Sequence, residues 1–271
     1  MTHSLSFRIL GQCVRIEHDA PHLDDLLIAN FGAMTNPAKG LPADLRYVIS
    51  ETDSGLFIHS PDRVPLRCGT PDDLLFLLDK CITVDLQKQR PDLLFLHSAA
   101  VERQGKAYLF AADSGCGKST TTWAMLHHGF GYLSDELSPI DMESMQILPY
   151  PHALCLKRPP PLPYPLPDTT IALKRTMHVP TESLPAPTIT EPMPLGGVFL
   201  VRYCPDLEAP SLRVIGPAEA GARLYVTALN ALAHHDYGLD SVVSIVAHVP
   251  CYALSTADLA KTCDLIRNAV D

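Results

Sequence analysis

Apolar and polar residues alternate over residues 4–17, with Leu5, Phe7 and Ile9 set against Ser6 and Arg8, and this period of two predicts a strand. Residues 21–33 carry a helical pattern. Short apolar runs at 46–50, 56–60 and 64–68, separated by Asp-Ser-Gly and Pro-Asp turns, predict an antiparallel sheet. Thr70-Pro71-Asp72-Asp73 then opens a helix. Threonine caps it, proline takes the first helical position, and an aspartate follows three residues after the cap, ahead of Leu74, Leu75, Leu77 and Leu78. That helix ends before Pro91, where the chain is expected to divide into a smaller N-terminal α+β subdomain over residues 1–90 and an α/β unit over 91–271.

Within the larger unit, residues 107–112 form an apolar run suited to a buried strand, and residues 120–128 read as a helix closing on Gly129. Eight prolines between Pro149 and Pro167, and five more between Pro180 and Pro194, exclude regular helix and predict surface loops or a lid. Order returns with a strand over 195–203, a helix over 217–233, and a last helix capped within Ser255-Thr256-Ala257-Asp258.

Charge narrows the classes of partner. The 271 residues include 21 basic and 30 acidic ones, a net charge of −9, which argues against a nucleic-acid partner held by a basic face. A hydrophobic share of 46% is enough for a sizeable core, yet no apolar run reaches the ~20 residues that span a bilayer. The opening MTHSLSFRIL has no signal-peptide character, so a cytoplasmic protein without a membrane partner is expected. Its eight cysteines are scattered and form no C-x-x-C pair, so reduced thiols are expected rather than zinc or a disulfide scaffold.

The chemistry gathers between the strand and the helix, at Ala112-Asp113-Ser114-Gly115-Cys116-Gly117-Lys118-Ser119-Thr120. Glycines in such a loop let backbone N–H groups close on a phosphate, a lysine reaches the β- and γ-phosphates, and the following hydroxyl ligates Mg²⁺. Ala112 stands where the usual pattern begins with glycine, and an alanine fits there at negative φ. The loop therefore predicts ATP and Mg²⁺ as ligands, with Ser114, Gly115, Cys116, Gly117, Lys118, Ser119 and Thr120 as the binding residues. Downstream, residues 130–134 read as a strand ending in Asp135 and Glu136, 17 and 18 positions beyond Lys118. Of two carboxylates beside a triphosphate, one can hold Mg²⁺ while the other accepts the proton of an attacking hydroxyl.

Residues 96–141, with His97-Ser98 before a strand pair, the Ser-Gly-x-Gly-Lys-Ser loop and the acidic pair, resemble the catalytic core of the HPr serine kinase family. Residues 149–158 and the later LGGVFLVRY and VPCYALS segments resemble related stand-alone kinases of that superfamily more weakly, a branch of which phosphorylates a serine of lasso-peptide precursors. The resemblance implies a phosphoenolpyruvate-carboxykinase-like P-loop kinase core that transfers phosphate from ATP to a serine hydroxyl of a protein or peptide. It implies Asp135 as general base, Lys118 and His97 in the catalytic set, and Ser119, Glu136 and Asp135 around the metal. The family often forms rings, so a homo-oligomer is compatible. The chain lacks the Gly-Leu-Gly-Ile-Ile-Asn type of signature that supports phosphate removal in the bifunctional enzymes, which leaves phosphorylase activity unsupported. A nucleotide-dependent binding module without phosphotransfer and a small-molecule kinase are the alternatives.

Overall fold

The computed structural model describes residues 2–35, 42–61 and 63–271. It is a mixed α/β structure. The N-terminal part holds β1 (His3–Ile9), β2 (Gln12–His18), α1 (Leu23–Phe31), β3 (Leu45–Thr52), β4 (Gly55–His59), β5 (Leu66–Cys68) and α2 (Pro71–Gln89). Its strands form one sheet in chain order. The single strand expected over residues 4–17 is instead a hairpin, because Leu10 and Gly11 both take positive φ and reverse the chain. Nor is the sheet purely antiparallel: β2 and β3 run parallel, joined by a crossover that includes α1. The Pro-Asp turn expected before β5 includes Asp62, which lies outside the described residues. Helix α2 begins as expected, with the Thr70 side chain accepting from the Asp73 N–H at 3.2 Å. Its stripe of Leu74, Leu75, Leu78, Ile82 and Leu86 packs into the core beneath the sheet.

The larger part continues with β6 (Leu93–Leu96), β7 (Ser98–Arg103), β8 (Lys106–Ala111), α3 (Lys118–His127), β9 (Gly131–Ser134), β10 (Ser138–Asp141), β11 (Gln146–Ile147), β12 (Leu154–Leu156), β13 (Ile171–Ala172) and β14 (Met177–Val179). It closes with β15 (Met193–Tyr203), β16 (Ser211–Ile215), α4 (Pro217–Tyr225), α5 (Leu239–His248), β17 (Cys251–Thr256) and α6 (Leu259–Val270). The main sheet follows the order β6-β10-β11-β15-β8-β7-β9, with β17 on β15 and β16 on β17. At its centre β8, β15 and β17 run parallel. Both faces of these strands are buried: Tyr108, Phe110, Phe199 and Val201 enter one core with α3 and α6, while Leu109, Ala111, Val198 and Leu200 enter another with α4 and α5. That explains their unbroken apolar runs.

Two further expectations need correction. The helix predicted over 217–233 stops at Tyr225, and the backbone of residues 227–229 turns instead to pair with the end of β6, where His97 N–H donates to Thr227 O and Leu229 N–H to Phe95 O. The last helix is capped by Asp258 alone, whose side chain accepts from Lys261 N–H, since Ser255 and Thr256 still belong to β17. The proline-rich stretches are mostly loop, crossed by the small β12-β14-β13 sheet. Among the described residues, no helix is long and apolar enough to cross a membrane.

Candidate active site

Strand β8 ends at Ala111 and the chain turns through residues 112–117 into α3. Gly115 and Gly117 take φ of +86° and +90°, a region costly for any residue with a Cβ, so the glycines are what permit this tight loop. No side chain caps α3, so the N–H groups of its first turn are left for a ligand. The loop borders a cleft of about 460 Å³, also lined by His97, Glu136, Lys157, Tyr203 and Thr256. Ser114, Gly115, Gly117, Lys118, Ser119 and Thr120 all face it. Cys116 does not; it lines a neighbouring cavity.

Lys118, only 5% exposed, projects to the cleft floor, where Nζ lies 3.3 Å from His97 Nε2 and 3.4 Å from Glu136 Oε2. The other ring nitrogen of His97, Nδ1, meets the Glu136 carbonyl at 3.2 Å and its carboxylate at 3.3 Å. A neutral imidazole carrying its proton on Nδ1 satisfies both neighbours, donating to Glu136 and accepting from Lys118. Burial, and then the charge of Lys118, hold the His97 pKa below its ordinary value, which favours that neutral form. Lys157 Nζ donates to Ser114 Oγ at 2.7 Å, which brings a second cation to the glycine loop.

The two acids differ sharply in their surroundings. Glu136 is partly exposed and belongs to the cleft wall. Burial, the largest influence on it, works to raise its pKa, but Lys118, His97 and His152 together bring it below the usual value. Asp135 is 0% exposed and does not line the cleft. Its Oδ2 accepts from the Cys155 N–H at 3.1 Å, and its Oδ1 has no hydrogen-bond partner among the described residues. Burial, and then the charge of Glu136, push its pKa up to about 6 against the pull of Lys118 and His152. Thus Lys118, His97 and Glu136 come together at the cleft, whereas the Asp135 carboxylate sits behind its wall.

Sequence reasoning did not single out His152, Tyr203 or Thr256 as site residues. His152 is buried with both ring nitrogens unpartnered among the described residues, and it acts electrostatically on both Asp135 and Glu136. Tyr203 and Thr256 face each other in register at the ends of β15 and β17, and they approach Gly117, which only the parallel pairing of distant strands achieves.

A glycine loop with open helix N–H groups, a buried lysine and a cleft-facing carboxylate suit a magnesium-bound triphosphate. No family model matches this chain, and no curated protein matches it. Among solved structures it is similar to the HPr(Ser) kinase/phosphatase from Coxiella burnetii, at 11% identity and a TM-score of 0.33, with 65% of this chain and 95% of that chain covered.

Proposed function

We propose that this protein is a magnesium-dependent ATP phosphotransferase that acts on a serine hydroxyl of a protein or peptide. The observation that carries the transferase reading is the convergence of Lys118, His97 and Glu136 at the foot of the glycine loop, within 3.4 Å of one another. The acceptor class rests on the resemblance of residues 96–141 to the HPr serine kinases.

In this reading the loop amides and Lys118 hold the phosphate chain, and Lys157 adds charge near Ser114. Ser119 and Glu136 supply oxygen ligands for Mg²⁺, which when bound neutralises charge on the transferring phosphoryl group. His97 fixes Lys118 by accepting its hydrogen bond. Asp135 serves as the base: burial leaves its carboxylate readier to take a proton than an ordinary aspartate, and its Oδ1 is unspent. Reaching that oxygen requires the acceptor segment to enter past Glu136.

The test is transfer of labelled γ-phosphate from ATP into proteins and peptides of the source cell's extract, with Lys118→Ala and Asp135→Asn alongside the unaltered chain. A discrete labelled band that each exchange reduces by ~10²-fold or more supports the reading. ATP binding without any label would sink it in favour of a nucleotide-dependent module, and label confined to small molecules would point to a metabolite kinase.

A further inference from the structure

On the far side of the glycine loop lies a second cavity, of about 590 Å³, in which Arg202, Arg213 and Arg223 converge with Ser211 and Ser255. Asp113 lines both spaces and Cys116 lines this one, so the phosphate loop is the partition between them.

Strand register explains the convergence. Arg202 on β15 pairs with Ser255 on β17, which pairs in turn with Ser211 on β16, and Ala253 pairs with Arg213. Side chains on alternate residues share a face, so Arg202 follows Val198 and Leu200, Ser255 follows Cys251 and Ala253, and Arg213 precedes Ile215. The inner members of those rows are buried core; at the loop end the same face becomes cationic and hydroxyl-bearing. Arg223 joins them from α4.

The charges are not balanced locally. Arg213 and Arg223 share one carboxylate, that of Glu219, at 2.8 and 3.3 Å, which holds the two guanidinium groups side by side. The Arg202 side chain has no ion-pair or hydrogen-bond partner among the described residues. In a chain of net charge −9, three arginines set against two carboxylates, that of Glu219 and that of the cavity-lining Asp113, leave a local excess of positive charge. Forked donors beside hydroxyl groups match the oxygens of a phosphoryl group.

The geometry points to this cavity as a second phosphoryl-binding site, separate from the phosphate loop. Its phosphoryl group has two possible sources, the tail of a nucleotide that crosses the loop or a separate phosphate-bearing small molecule. The site does not depend on the kinase reading.

Pyrophosphate is the probe, titrated calorimetrically into the full chain. Lys118→Ala protein, whose phosphate loop has lost its buried lysine, should still bind it at one saturable site. Adding Arg202→Ala and Arg213→Ala to that background should weaken binding at least tenfold. Arg202→Lys with Arg213→Lys, which keeps the charge and loses the fork, should weaken it several-fold and carries the test if the alanine pair does not fold. Competition by ADP that disappears with the arginines would identify the nucleotide tail as the source; pyrophosphate bound alongside ADP would identify a separate molecule. Binding to Lys118→Ala protein that ignores both arginine pairs, or no binding while the arginines are intact, overturns the proposal. Because these titrations require no phosphotransfer, they hold whether or not the labelled-ATP assay succeeds.

Discussion

Asp135 and Glu136 are neighbours in sequence with opposite proton affinities, and this difference separates their roles in a measurable way. With its pKa raised to about 6, Asp135 is protonated below that pH, so a rate that needs its carboxylate falls as pH drops through about 6. Glu136 lies below its ordinary value, so a rate that needs Glu136 as base would persist to a pH below the ordinary glutamate range. Initial rates of phosphate transfer against pH, for the unaltered chain and for Glu136→Gln, decide between them. A limb near 6 supports Asp135; a limb confined to the lower range assigns the base to Glu136. The same shift has a stability sign. A folded-state pKa above the unfolded ~3.9 means the native form holds the proton longer, so ionising Asp135 lowers stability as pH rises from about 4 through about 6. A buried acid kept at that cost is the pattern of a functional group.

Helix α2 shows how far local signals reach. Thr70→Ala removes the oxygen that accepts the Asp73 N–H, and should cost about 1 kcal/mol, read as a lower denaturant midpoint with an unchanged slope. This start was legible because the cap, the proline and the first leucines of the apolar stripe fall within the successive residues Thr70 to Leu75. The glycine loop and α3 were legible for the same reason. What could not be read locally was the reversal at Leu10, a residue that seldom takes positive φ, and the exit of residues 226–230 from a helical pattern to hydrogen-bond with β6. The burial of Asp135 belongs to this second class, since its partner Cys155 comes from a strand 20 residues away. Adjacent acids at a strand end predict a site. Which of them faces the cleft depends on the pleat and on what packs behind it.

Across the whole molecule, the proline-rich region and the N-terminal part are stitched together. Tyr150 OH donates to Asp79 at 2.7 Å, Ala153 N–H donates to Asn30 O at 2.8 Å, and Leu93, Phe95, Leu137 and Tyr150 complete the core beneath the first sheet. A chain beginning at residue 91 would therefore expose this apolar surface to water. It should be poorly soluble and bind nucleotide weakly, as measured by recovery of soluble protein and ADP titration; a soluble fragment with undiminished affinity would show that the larger part stands alone. The connection reaches the cleft through one side chain. Asp72, in the first turn of α2, accepts from the N–H groups of Lys174 and Arg175 and from the hydroxyl of Thr176, and Thr176 lines the cleft beside the glycine loop. A tug on α2 is thus a tug on the rim of this cleft, so under the proposed function a molecule docked on the N-terminal sheet would have a mechanical line of two residues to it.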